Sequence, residues 1–436
     1  MTYFAALSIL LLTVGISLGR PKIGRWRIQH PSAAIGGAMA TLVLGLVPLE
    51  LAVQTMIQLA PSIITIISLM IITLVTERSG LLHRMALGMA RFAKGDARRL
   101  FLYLFILGAT TGAFFTNDAT ILIFTPLVFS LAEEIQQPDW TRASKIPFYF
   151  AVLYVGNLVG ALVISNPINI IVSSFFDITF AEYAAWMVLP ALASMVVSFV
   201  GLRIFFRKDL PRTYNVPQHD GSKIGDPRLI PICTIVLSLT LLGFFTGSFT
   251  GIPIWLVAAL GAAMLLISAH RFDHAAQVII RGVGWDVIIF VMGIFIVVLG
   301  LRNAGLTEQI SDFLKIFQQY GHAGMTLGTG FTAAISSALL NNHPTAGLMI
   351  WVIQDWGLPT GETKMMVFSA LIGGDLGPKM LPIGSLAALM WFRMLRARGV
   401  DVPYSLYIKV GIPVTLSAVL VSILVLNVEW MLFGGG

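Results

Sequence analysis

Two short polar strings lie where apolar residues flank them on both sides. One is Thr116, Asn117 and Asp118 within GATTGAFFTNDATILIFTPLV. The other is Asn341, Asn342 and His343, followed by Pro344 and Thr345, within TAAISSALLNNHPTAGLMIWV. Amides, hydroxyls, a carboxylate and an imidazole supply hydrogen-bond donors and acceptors and two groups able to take up or release a proton. A second pair of polar clusters interrupts later apolar segments: Ser165, Asn166 and Asn169 in ISNPINII, and Asp375 with Lys379 in ALIGGDLGPKMLPIGSL. Each carries proline, Pro167 in the first and Pro378 with Pro382 in the second, and proline removes a helical hydrogen bond and breaks the turn. A polar tip followed by a broken helix, repeated in the corresponding place of each half, points to the midplane binding site of a secondary transporter. The chemistry these residues suit is ligand binding and proton exchange.

Ionisable groups inside apolar spans cost a few kcal/mol on insertion scales, so each needs a reason. Asp118 begins the second arm of its hairpin, where it can cap backbone N–H groups; it can also titrate at the site, and the two roles are compatible. Asp375 and Lys379 are four apart, an ion-pair spacing on a helix, yet Gly377 and Pro378 between them argue for unwound backbone open to a ligand. They form either a buried structural pair or part of a coupling site. Ser165, Asn166 and Asn169 are either an interhelical hydrogen-bond set or ligand contacts. His343 can relay protons near neutral pH or bond locally beside Pro344. Glu50, Asp177, Glu182 and Glu429 fall near span ends and read as interfacial.

These residues need a membrane scaffold, and the composition supplies one. Hydrophobic residues make up 57% of the 436 positions and charged residues 11%, against roughly 25% charged in soluble domains. The net charge of +7 reflects basic residues in short loops, as membrane orientation demands, and calls for no nucleic-acid partner. Cys233 is the single cysteine, so an internal disulfide, a thiolate metal cage and a redox pair are excluded. No phosphate-binding loop, zinc-protease motif or nucleophile elbow occurs, so the chain by itself hydrolyses no ATP, is not read as an enzyme and needs no cofactor. The basic cluster Arg20, Lys22, Arg25 and Arg27 follows the first apolar stretch, which reads as a retained helix and not a cleaved signal.

With about 20 apolar residues per crossing, spans are expected near 2–19, 31–48, 58–76, 146–178 and 183–205, then 228–247, 251–269, 284–301, 364–396 and 405–432. Between the third and fourth of each half lie an amphipathic stretch (80–95; 305–320) and a hydrophobic hairpin (98–134; 324–356), whose buried polar tips mark re-entrant loops. If the loop at 20–30 is cytoplasmic, the loops on that side hold 24 of the 28 lysines and arginines, which places both termini on the outer, periplasmic side. Five crossings per half is odd, so the second half enters inverted. The expected fold is an all-α polytopic membrane protein of two inverted repeats: residues 1–206, a cytoplasmic linker at 207–227, and residues 228–436. RSGLLHRMA near residue 80 and RNAGLTEQI near 305 echo the repeat in letters.

FFTNDATILIFTPLV, ALLNNHPTAGLMI and above all GGDLGPKMLPIGSLAALMWFRML resemble the arsenite efflux antiporters, the membrane subunit of arsenical pumps within the ion transporter superfamily. The similarity extends from about residue 75 to 430; the first tip departs from related tips, which carry more glycine and alanine after the aspartate. The resemblance implies a bacterial inner-membrane protein that exports arsenite or antimonite in exchange for protons, optionally with a soluble arsenite-stimulated ATPase. The residues are compatible. Arsenite near pH 7 is a neutral trihydroxide, matched by amide and hydroxyl partners, and a single cysteine cannot form a three-thiolate arsenic site. Substrate contacts fall to Thr116, Asn117, Asn341, Asn342, Thr345, Asn166 and Asn169; proton coupling falls to Asp118, Asp375, Lys379 and His343. The alternative is a sodium/proton antiporter or carboxylate transporter of the same superfamily, although an anion carrier wants more buried cations than Lys379.

Overall fold

A computed structural model describes residues 2–23, 26–134, 141–216, 225–272 and 274–434; the side chains of residues 23, 26, 27, 118, 133, 134, 142 and 386 also lie outside the description. The first half runs α1 (Thr2–Gly19), α2 (His30–Val43), α3 (Leu49–Ser79), α4 (Leu81–Phe92), α5 (Ala97–Phe114), α6 (Asn117–Glu134), α7 (Arg142–Val155), α8 (Pro167–Phe175) and α9 (Phe180–Phe205). The second runs α10 (Leu229–Thr250), α11 (Ile254–Arg271), α12 (Ala276–Gly282), α13 (Trp285–Asn303), α14 (Leu306–Lys315), α15 (Gly321–Leu340), α16 (Asn342–Trp356), α17 (Thr360–Leu376), α18 (Leu386–Ala397) and α19 (Tyr404–Phe433). Among the described residues, the only strand pairing beyond an isolated bridge is a two-residue antiparallel ribbon, Lys22–Ile23 with Trp26–Arg27. The molecule is otherwise helical, as a bilayer requires when backbone groups must find partners within their own segment.

Among the described residues, eight helical stretches are long and apolar enough to cross a membrane. Seven of them, α1, α3, α9, α10, α11, α13 and α19, coincide with expected crossings; the eighth, Leu306–Leu340, joins α14 to α15 through a short 3-10 turn. Of the remaining three expected crossings, one ends early and two carry the breaks that their prolines predict. The crossing expected at 31–48 stops at Val43, because Gly45 takes a left-handed φ of 67° and Pro48 begins the next helix as its cap. Those expected at 146–178 and 364–396 are each divided into two short helices.

The echoed strings have an echoed geometry. Gly80 ends α3 with φ 74° and Gly305 ends α13's turn with φ 83°, a conformation that glycine alone adopts without cost. Each glycine turns the chain into a short amphipathic helix, α4 or α14. Packing joins the halves: α2 lies along α13, α3 along α11, and α9 along α19, while α15 packs on α17 within the second half. Small residues permit the last contact. A Cβ on Gly373 would fall 2.0 Å from the carbonyl oxygen of Gly330 and one on Gly377 would fall 2.2 Å from that of Ala334, so these two glycines of GGDLG form a close-approach surface.

Candidate functional site

Each hairpin reverses over a minimal turn. Helix α5 closes at Phe115, in extended conformation, and Thr116 opens α6 by accepting Thr120's backbone N–H at 3.0 Å and its hydroxyl at 3.2 Å. In the second hairpin a single residue, Asn341, makes the turn with φ 82° and ψ 158°. That region is close to glycine-only, and Asn341 is held there by its own side chain. Its Oδ1 accepts the His343 backbone N–H at 3.3 Å and lies 3.2 Å from His343 Nδ1. Its carbonyl takes the Thr345 hydroxyl at 2.9 Å. The tip is thus a cap and a turn at once.

Thr116, Asn117, Asn341, His343 and Thr345 are all buried, and Asn342 is half-buried. Asp118 has its backbone at the start of α6, and its side chain lies outside the described residues. Asn117 is 5% exposed, yet its Nδ2 has no partner among the described residues. Asn117 lines a cavity of about 200 Å³ with Gly112, Val155 and Gly160, and the neighbouring Thr116 lines a second one of about 220 Å³. The tip therefore stands between two hollows. The N-termini of α6 and α16, which start at the tips, add partial positive charge there.

The first broken helix runs from Gly156 to Asn166, interrupted by one 3-10 turn at Val163–Ser165, and restarts at Pro167. Proline at the first helical position costs no hydrogen bond, and Asn166 caps α8 by accepting Ile168 N–H at 3.3 Å. The break gathers on one carboxylate from the other half. Asp375, 1% exposed, accepts Gly160 N–H at 2.9 Å and Asn169 Nδ2 at 3.1 Å on Oδ2, and Asn166 Nδ2 at 2.6 Å on Oδ1. Gly160 must be glycine, because a Cβ would fall 2.3 Å from Asn169 Nδ2. Tyr183 donates to the Gly160 carbonyl at 3.2 Å and Ser165 to the Leu162 carbonyl at 2.6 Å.

Lys379 sits in the second break, a 3-10 turn at Gly377–Lys379 before α18 restarts at a Ser385 cap. It is 1% exposed; its Nζ has no hydrogen-bond partner among the described residues and lies 4.9 Å from the centre of the Tyr154 ring. The i,i+4 spacing from Asp375 makes no direct ion pair among the described residues. The backbone expected to unwind here stays right-handed and tightens into the 3-10 turn instead; the ammonium faces the aromatic ring, and amides take the carboxylate. Of the span-end carboxylates, one is less interfacial than expected, while Glu182 keeps a part-exposed place in the first turn of α9. Glu429 is 5% exposed, and Glu182 pairs with Lys364 at 2.6 Å.

Sequence reasoning passed over several participants. Gly160 and Tyr183 carry no polar side-chain pattern that would single them out. His30, Arg20 and Asp286, which cluster beside Thr116, lie in what reads as ordinary span-edge sequence.

Residues 5–431 match the family model described as Arsenical pump membrane protein. The Arsenical pump membrane protein of Escherichia coli strain K12 is 35% identical over 426 residues, covering 95% of this chain and 96% of that one. Another Escherichia coli Arsenical pump membrane protein is 36% identical over 365 residues, 82% of this chain and 84% of its own length. Among solved structures, the Alcanivorax borkumensis YdaH transporter matches with a TM-score of 0.59 at 15% identity, covering 100% of this chain and 98% of that one. Neisseria gonorrhoeae MtrF, from a class of antimetabolite efflux pumps, matches with 0.55 at 12% identity over 98% and 94%. The chain shares the fold of these two proteins.

Proposed function

This chain belongs to the arsenical pump membrane protein family, and from that premise we propose that it exports trivalent arsenite and antimonite as neutral hydroxides in exchange for protons. The observation that carries the reading is Asn117, a buried amide donor with no partner among the described residues, which lines one cavity while the adjacent Thr116 lines another. An unmet buried donor costs about 1 to 3 kcal/mol, a cost that a substrate hydroxyl oxygen would relieve. Asn341, Asn342 and Thr345 serve the substrate from the second tip, and Asn166 and Asn169 shape the first break against Asp375. Asp118 takes the coupling proton, with Asp375 and Lys379 as supporting groups and His343 beside Asn341.

The two halves work as inverted repeats with both termini outside, and the chain runs on the proton gradient with or without a soluble ATPase. The test is arsenite uptake into everted membrane vesicles, with antimonite as competitor. An imposed pH gradient should drive accumulation in the wild type, and Asp118→Asn should abolish it while leaving some downhill exchange. Gradient-driven uptake at the wild-type level in that variant would exclude Asp118.

A further inference from the structure

The cavity of about 220 Å³ next to Thr116 has a charged rim that the transport reading leaves unused: Arg20, His30, Glu77 and Asp286. We propose that His30 is a proton-binding residue of the transport cycle, placed at the mouth of this cavity, and that Arg20 and the incoming proton compete for its Nδ1. The inference rests on the proposed orientation, in which the loop at 20–30 and the one before α13 face the cytoplasm.

His30 is the first residue of α2 and is 4% exposed. An Arg20 guanidinium nitrogen lies 3.2 Å from its Nδ1, and Asp286 Oδ2 lies 3.0 Å from its Nε2. An arginine can only donate, so Nδ1 accepts and the ring proton sits on Nε2, facing the carboxylate. In this neutral tautomer Arg20 covers Nδ1, and the Nε2 proton lies beside the Asp286 carboxylate without a hydrogen bond of good geometry. A second proton can bind only at Nδ1, and only if Arg20 withdraws. The resulting imidazolium would keep Asp286 beside it as counter-ion. When the Nδ1 proton leaves to water, Arg20 returns. Arg20 is partly exposed, and the Asp286 side chain is 50% exposed, so both have room to move and contact with solvent.

The position links both tips. Thr116 lines the same cavity, and on its other side the His30 ring meets Phe290 edge-on at 5.8 Å; Phe290 meets His343 of the second tip at 5.9 Å in the same manner. The charged or titratable groups facing His30 are therefore Arg20 from the end of α1, Glu77 from α3, Asp286 from α13 and, through Phe290, His343 from α16. An exported hydroxide loads from this side and a proton is delivered to it, so a proton acceptor at the cavity mouth serves the exchange at its cytoplasmic step.

Everted vesicles expose this face to the medium. We expect the initial rate of arsenite uptake, at fixed interior pH, to fall as the medium is acidified, because a protonated His30 cannot accept the departing proton. His30→Gln keeps a donor and an acceptor but cannot titrate and should lose that limb. Arg20→Gln removes the competitor and its charge and should move the limb to higher pH, and Asp286→Asn should move it to lower pH, each by about 1 to 3 pH units, the range one neighbouring charge imposes. A merely structural role would lower the rate at every pH without moving the limb. If His30→Gln does not accumulate in membranes, the opposed shifts of the other two variants decide. Wild-type uptake of arsenite together with an unmoved limb in all three would overturn the role of His30 and leave the exporter reading standing. Absence of arsenite uptake by the wild type would overturn both.

Discussion

Replacing Asp375 with asparagine tests how far the two halves depend on one carboxylate. The substitution keeps the shape and one acceptor oxygen. Two donors, Gly160 N–H and Asn169 Nδ2, meet on Oδ2, and a third, Asn166 Nδ2, meets Oδ1. The new side chain can satisfy the pair with its oxygen, which sets its NH2 against the Asn166 NH2. Asn166 could turn its own oxygen inward, at the loss of its cap on Ile168. Either outcome forfeits one hydrogen bond to a charged acceptor, about 1.5 to 3 kcal/mol, or adds the loss of a cap of about 1 kcal/mol. Lys379 also loses its nearby counter-charge, which adds to the cost of its burial. The sum is about 2 to 4 kcal/mol, roughly a 30- to 1000-fold change in the equilibrium. Cys233, 0% exposed, is a built-in reporter: a thiol-reactive fluorogenic dye should label it only on unfolding. Asp375→Asn should lower the apparent unfolding temperature in detergent by several degrees, and adding Lys379→Met should recover part of the loss. A wild-type unfolding temperature with wild-type uptake in Asp375→Asn would refute the argument.

At the second tip, Asn341→Gly should fold at least as well as Asn341→Ala, because alanine at φ 82° is strained, and both should weaken arsenite uptake about 5- to 150-fold in affinity for the loss of one buried partner; unchanged affinity would move the site elsewhere. In a Cys233-free background, a cysteine at the exposed Thr360 should react with impermeant reagents only from outside and one at Gln137, which lies outside the described residues, only from the cytoplasm; labelling of both from one side would sink the inverted arrangement. Asp226, outside the spans, is paired with Arg228 at 2.8 Å, whose guanidinium holds the carboxyl well below the ordinary range. Its contribution is therefore complete above the unfolded value of about 4 and is lost only as pH falls toward the depressed folded value, so unfolding should not respond to this group between pH 5 and 8. Arg228→Gln should shrink the loss of stability that the wild type shows below about pH 5, because the folded and unfolded values then approach one another.

The elements were legible because each left a local trace. Twenty-residue apolar runs gave α1 and α9, proline gave the breaks at 167 and 378, and the polar strings gave both tips. What the sequence left open was partnership. The i,i+4 spacing of Asp375 and Lys379 suggested a mutual pair, but spacing describes a continuous helix, and the turn at Gly377 ends one. The true partners of Asp375 are 206 to 215 residues away, a distance no periodicity reports. The end of α2 was misjudged for a related reason: residues 44–48 are apolar enough to continue the span, and only the left-handed Gly45 stops it. His30 escaped notice because its significance comes from Arg20 and Asp286 together, and Asp286 is in the other half.

The attachment of Asp375 to the first break also sets a schedule for biogenesis. Gly160, Asn166 and Asn169 leave the ribosome some two hundred residues before the carboxylate that will receive their N–H groups, and at about 5 to 20 residues per second that interval is roughly 10 to 40 s. Throughout it, a half-finished protein holds three donors whose carboxylate acceptor has not yet been made, a condition lipid does not tolerate. Water or the insertion machinery must stand in for Asp375 until it arrives. A chain stalled between the two halves is therefore an unfinished membrane protein with an open polar seam, and quality-control proteases have a defined window in which to recognise it.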